Sequence, residues 1–386
     1  MSKYMKFLII GLATMVFTGV MAVGKDSKDI NDKLIATTIA VDKKDGEFWF
    51  YVEFANVEAQ QEGAQNGSGM GAKYFMVSAH GGTLTGAREN LDQQLDRPIY
   101  MGGVRTLLIA ENFAKEDLVE YLYRLRADES YRKKVFTVIT NEEMEPLFKT
   151  LNEQGQSLGY SIENTITNLD NSGEAFSRTT SRLLENLSND YSGILIPCIG
   201  LQDTYTVFNG YAVVNDTKVV AHIPVEIADG LSILRVEKSR QFYRIPCREY
   251  ELTVEAVLTK RRIKPSYDDG KINMTVTLEF NAYLRYGNLK TPYGLTDKDE
   301  EKIERVLEEK ITREVMGAVF QAQRAYKTDY LQFDDAFRAK YPVEFHSLDW
   351  NEAFSTIAVT PVVDVHFSAD KSIDYMGIDY QLMKKD

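Results

Sequence analysis

Between Ile303 and Ala322 the residues Ile303, Val306, Leu307, Ile311, Val315, Ala318, Val319 and Ala322 recur at the three-and-four spacing that gathers apolar side chains on one helical face. The pattern predicts one long helix over 297–326. Thr296 with Asp299 has the form of a capping pair, and Asp297, Asp299, Glu300 and Glu301 put negative charge on the first turns, where the helix dipole favours it. A helix of this length with a single apolar stripe needs a broad apolar surface to lie on, so the expectation is a helix packed on a sheet. Neighbouring segments supply strands. Residues 249–258 and 271–283 before it, and 357–367 after it, are rich in β-branched and aromatic residues.

The first 150 residues read differently. Thr37 to Asp42 and Glu47 to Phe54 flank the turn residues Asp45 and Gly46, which predicts a hairpin. Leu84, Ala87, Leu91 and Leu95 follow Thr83 at helical spacing, then 104–110 reads as strand, 113–125 as helix and 135–140 as strand. Such alternation predicts helices layered on a sheet. Residues 142–190 are polar and helical in pattern, and 194–197, 206–214 and 218–223 return to strand. The expected fold class is α+β, with mixed sheets and packed helices in three domains behind an N-terminal apolar segment. The expected boundaries are 1–23 for that segment, 24–197 for an N-terminal α/β domain, 198–245 for a small strand-rich middle domain, and 246–386 for a C-terminal domain carrying the long helix.

The chain's 386 residues carry 45 Lys and Arg against 57 Asp and Glu, a net charge of −12, which argues against nucleic acid as a partner. Cys198, Cys247, His80, His222, His346 and His366 show no metal-ligand spacing, so neither metal nor other cofactor is expected. The two cysteines pair only if the fold brings them together in an oxidising compartment, and the sequence leaves that open. Gln60 to Ala72 reads as an exposed loop. Gly67, Gly69, Gly71 and Lys73 resemble a phosphate-cradling loop only superficially, because Tyr74 stands where a magnesium-binding Ser or Thr belongs. His80 lies beside Gly81 and Gly82, yet no glycine-flanked serine elbow follows a strand, so no catalytic residue is expected.

Lys3 and Lys6 precede a run without charge from Phe7 to Val23, the form of a secretory signal or membrane anchor that delivers later residues to the outside. Val20, Met21 and Ala22 offer small or modest side chains for cleavage after Ala22. Phe17, Thr18 and Gly19 lead up to a position where a lipoprotein would carry its cysteine, but Val20 has no thiol to acylate, so no lipidation site is expected.

Several segments together resemble the C subunit of spore germinant receptors, the Ger(x)C family of lipoproteins. Asp29, Ile30, Asn31 and Asp32 match the family's opening after its lipid-bearing cysteine, and Ile39, Ala40, Val41, Asp42 and Lys43 follow at the expected distance. Arg97 to Arg105, RPIYMGGVR, has the family's aromatic turn. The C-terminal half carries the most specific match, in Gln323, Asp329, Phe333, Lys340, Tyr341, Pro342, Trp350 and Phe354. Tyr341 and Pro342 would end a helix, while Trp350 and Phe354, four apart, would share a buried face. These motif positions are expected to be structural. Three departures stand out: Val20 for the cysteine, Gln332 and Asp334 where the family has glycines around Phe333, and Phe345 for a tryptophan.

The resemblance implies a non-enzymatic subunit on the outer face of the spore inner membrane. It would work beside two multi-pass membrane subunits in nutrient sensing and germination, as a scaffold or coupling element held to the membrane through its N-terminal segment. The competing expectation is an extracytoplasmic solute-binding protein, which shares secretion, acidity and α/β domains. Ligand titration separates the two.

Overall fold

The computed structural model describes residues 32–56, 73–127, 132, 134–177, 179–187, 193–247, 250–287 and 295–368. The apolar run Phe7–Val23, the motif residues Asp29, Ile30 and Asn31, the positions Val20 and Ala22, and the glycine-rich stretch 60–72 lie outside them. Two sheets organise the chain. The first begins with the hairpin of β1 (Leu34–Lys44) and β2 (Glu47–Ala55), whose turn residues Asp45 and Gly46 both take positive φ, 53° and 81°. Next come β3 (Tyr74–Gly81), α1 (Leu84–Asp92), β4 (Ile99–Tyr100), β5 (Thr106–Ala110), α2 (Glu111–Ala127) and β6 (Phe136–Thr140). Thr83 caps α1 by accepting from Gly86 N at 3.0 Å, as the sequence predicts. Helices α3 (Met144–Glu153), α4 (Leu158–Ser172) and α5 (Thr180–Leu187) lead into β7 (Ile194–Gln202), β8 (Tyr205–Asn215) and β9 (Lys218–Pro224).

The spatial order is β3-β2-β1-β5-β6-β7-β8-β9, with β4 beside β1. The central strands β1, β5, β6 and β7 run parallel, and the flanks are antiparallel. All five residues of β5 are buried, because helices cover both faces of a parallel centre.

The second sheet has four strands in the order β10 (Arg240–Cys247), β11 (Tyr250–Asp268), β12 (Lys271–Gly287) and β13 (Ala358–Ser368). Between β9 and β10 lies α6 (Asp229–Arg235); between β12 and β13 lie α7 (Asp297–Phe320), α8 (Phe333–Lys340), α9 (Pro342–His346) and α10 (Trp350–Phe354). The predicted long helix is present. Its capping box is complete, with Thr296 N donating to Asp299 Oδ2 at 2.9 Å and Asp299 N donating to Thr296 Oγ1 at 3.4 Å. Ile303, Leu307, Ile311, Val315, Ala318 and Val319 are buried along one face. The α-helical part ends at Phe320, however, and 321–326 continue as a π-helical segment that closes on Lys327 in the left-handed region. Pro342 opens α9 at its first turn, so the helix that ends at Lys340 is followed at once by another.

The expected boundaries at 197/198 and 245/246 fall inside β7 and β10. Strands β7 to β9 extend the first sheet, because β7 pairs with β6 at Ile139 and Cys198 and then turns back into β8. Their outer side chains serve the second core. Leu195, Tyr211, Val213 and Ile223 join Phe176, the inner face of the second sheet and α7 in one cluster. Cys198 belongs to the first core and Cys247 to the second; both are buried and neither is in a disulfide, which answers the question of a bridge in the negative.

Candidate functional site

The C-terminal motif residues converge on Asp329, in the loop between the π-helical segment and α8. Its carboxylate is a hub: Oδ1 accepts from Phe333 N at 3.2 Å, while Oδ2 accepts from Asp334 N at 2.8 Å and from Trp350 Nε1 at 3.0 Å. One side chain therefore holds the first turn of α8 and the first residue of α10. Its main chain ties in the other sheet, since Asp329 O accepts from Gly193 N at 3.0 Å, one residue before β7. Asp329 and Asp334 are 1% and 0% exposed. Burial, and then the neighbouring Asp334 charge, push the Asp329 carboxyl up to about 7, although its three donors pull the other way.

Around this hub the aromatic residues interlock. Phe333 meets Phe354 edge to face at 6.3 Å, and Trp350 packs on Phe337 at 5.5 Å and Phe345 at 5.3 Å between ring centroids. Trp350 and Phe354 do share a buried face. Gln323 Nε2 donates to Phe354 O at 2.9 Å and Ile357 O at 2.8 Å, fastening the π-helical segment to the end of α10. Gln332 keeps φ of 63° where the family resemblance led us to expect glycine, so the left-handed turn persists with a side chain on it. Of the other motif positions, Asp32 is exposed, and Asp42 is buried, with Oδ1 accepting from Lys43 N at 2.7 Å and Oδ2 3.4 Å from Lys44 Nζ. Neither approaches the hub.

Sequence reasoning missed two further buried carboxylates. Glu53 in β2 is fully buried; its Oε2 accepts from Thr37 Oγ1 (2.5 Å), Thr38 Oγ1 (2.8 Å) and Ser157 Oγ (2.6 Å), and its Oε1 accepts from Leu158 N (2.9 Å) at the start of α4. Glu255 in β11 sits between Arg240 Nε at 3.1 Å and Arg285 Nε at 2.6 Å, one from each neighbouring strand. Alternation along β2 and β11 makes each glutamate look like an ordinary strand residue. His80 is exposed, lies 2.5 Å from Glu47 Oε2 and stacks on Trp49 at 4.6 Å. A cavity of about 250 Å³ at the ends of β6 and β7 is lined by Glu142, Glu143, Pro146, Leu147 and Leu201.

Asp329, Glu53 and Glu255 thus each tie separate elements together, and the molecule is an α+β protein of two sheets joined through one apolar seam. Two family models match it in sequence order: the spore germination protein N-terminal domain over residues 26–201, and the spore germination B3/GerAC-like C-terminal domain over 209–369. The chain belongs to this spore germination family. Among curated proteins it is similar to spore germination protein B3 of Bacillus subtilis (strain 168), 21% identical over 338 residues covering 86% of this chain and 89% of the relative. Spore germination protein YndF of the same organism is 21% identical over 337 residues, covering 83% and 82%. The crystal structure of the GerBC protein matches with a TM-score of 0.54 at 14% identity, over 85% of this chain and 96% of that one. That likeness concerns the fold, and it agrees with the α+β class read from the sequence.

Proposed function

We propose that this germination protein is the C subunit of a nutrient germinant receptor, acting without enzymatic activity as a scaffold or coupling element on the outer face of the spore inner membrane. The observation that carries this reading is the consecutive match of both family domains across nearly all of the described chain. The seam supports it physically. A hydrophobic junction between sheets resists relative motion, so a displacement imposed at one sheet is passed to the other instead of being absorbed at a hinge. Two multi-pass subunits are its partners in this reading. No described helix is long and apolar enough to cross a membrane. The tether is therefore assigned to Phe7–Val23, uncleaved or held by a partner, because Val20 cannot be acylated.

The test is affinity purification of the full chain from detergent-solubilised spore membranes, with mass spectrometry of what accompanies it. Two multi-pass proteins in comparable amount are expected. Recovery of the chain alone, together with saturable binding of an amino acid or sugar, would sink the receptor reading in favour of solute binding.

A further inference from the structure

Open sheet edges attract other strands, and described residues of this molecule obstruct parts of three of its own. At the β10 edge, Arg240 N donates to Gly173 O at 3.0 Å, Arg244 O accepts from Lys310 Nζ at 2.7 Å, and Pro246 has no N–H. Among the described residues Phe242 has neither its amide nor its carbonyl bonded on that side, flanked by these obstructions. At the β13 edge, Phe367 N and Val365 N donate to Glu304 and Glu308 of α7 at 2.8 and 3.4 Å, and Pro361 again lacks a donor. Strand β9 packs under α2, takes Tyr326 Oη on its His222 carbonyl at 3.5 Å and ends in Pro224.

The β3 edge differs. Asn56 N donates to Lys73 O, so the odd-numbered residues pair with β2, and the even-numbered ones turn their amides and carbonyls outward. His80 O is capped by Asn90 Nδ2 at 2.8 Å. Met76 and Ser78 make no hydrogen bond on that side among the described residues. From Tyr74 to Ala79 there is neither proline nor charge, and Tyr74, Phe75, Met76 and Val77 are all half-buried, so both flanks of the edge are apolar and partly covered.

We propose that β3 pairs antiparallel, edge to edge, with β3 of a second copy of this chain. Three features favour that occupant. An outward Met76 and Ser78 each offer a donor and an acceptor, so the edge is self-complementary about a two-fold axis. Pairing Met76 of one copy with Ser78 of the other sets Val77 opposite its own counterpart and Phe75 opposite Ala79, apolar cross-strand pairs of the kind that stabilise adjacent strands. The net charge of −12 repels a second copy in general, and this uncharged run is where two copies meet without opposing like charges. The pairing joins two first sheets into one continuous sheet and leaves the seam and the second sheet free on each side.

The experiment is sedimentation of the full chain in detergent micelles over a range of protein concentrations, with hydrogen exchange at 74–80. Wild type is expected to form dimers as concentration rises, with Met76 and Ser78 amides becoming protected in step. Met76→Pro removes an outward N–H without touching the ladder to β2, and Ser78→Lys puts a charge on the edge; each should weaken dimerisation by about tenfold or more. If circular dichroism shows that the proline variant does not fold, the lysine variant carries the test alone. A wild type that stays monomeric throughout, or a dimer that both variants leave unchanged, overturns the proposal. So does a monomer whose 74–80 amides gain protection only when another spore membrane protein is added, since the edge would then belong to that protein. Recovery or loss of multi-pass partners does not affect any of these readings.

Discussion

At the scale of single residues, the burial of carboxylates makes the sharpest predictions. Asp329→Ala leaves three donors without an acceptor in the interior, and a loss of about 3 kcal/mol is expected in urea unfolding. The acid also sets a pH dependence. Its carboxyl sits at about 7 in the fold against an ordinary 3.8, so between these values the folded chain keeps a proton that the unfolded chain has released. Stability from this site is therefore greatest below pH 4 and is lost as pH rises through 7. Comparing urea midpoints at pH 5 and pH 8 should show wild type gaining more on acidification than Asp329→Asn; equal gains would remove Asp329 as the source. Glu53→Ala likewise strips the acceptor from three hydroxyls and the Leu158 N–H, for an expected cost of about 2–4 kcal/mol. Motif spacing singles out Asp329, Trp350 and Phe354, but nothing in the sequence tells a buried Glu53 from a solvated one, because burial depends on α4 arriving from about a hundred residues away.

Whole elements were the most legible. The β1–β2 hairpin, the capped α1 and the apolar face of α7 all follow from local periodicity and turn chemistry, and each has its expected place in the chain. Thr296→Ala should lower stability by about 1 kcal/mol through the lost cap, visible as a shift in thermal midpoint. The π-helical close of α7 was not legible. From within it Gln323 reaches Phe354 O and Ile357 O, tertiary contacts that leave no periodic trace. Helix α6 lies so close to α7 that a Cβ on Gly230 would stand 2.0 Å from Glu314 O. Gly230→Ala should push the helices apart at a cost of about 1–3 kcal/mol, and an unchanged urea midpoint would show that α6 can slide. Arg261 fixes the far end of α6 by donating to Ile233 O and Val236 O at 2.9 and 2.8 Å, where a cation suits the helix C-terminus.

For the molecule as a whole, the seam decides how the parts behave. A fragment ending after β9 would expose Phe176, Tyr211, Val213 and Ile223, which in the intact chain contact the second sheet's core. Such a fragment is expected to bind an apolar dye strongly and to aggregate, while the full chain does not; a well-behaved, dye-silent fragment would show that the first sheet is self-sufficient. Coupling of this kind is what the proposed receptor role requires, and it explains why the boundaries expected at 197/198 and 245/246 fall within strands. A change of texture from helix-rich to strand-rich marks where local preference changes. It does not mark which sheet a strand joins.

By itself the sequence determined the elements, the α+β class and the family, because capping, turn residues and apolar period act over a few neighbours and motif spacing is written along the chain. Only the tertiary structure decided that β7 to β9 serve both cores, that Asp329 binds α8, α10 and the approach to β7 at once, that Cys198 and Cys247 stay apart, and that no described strand pairs with the outer edge of β3. Those outcomes depend on residues far apart in sequence meeting in a low-dielectric interior, where the worth of a carboxylate or an unpaired amide is set by its surroundings and not by its own identity.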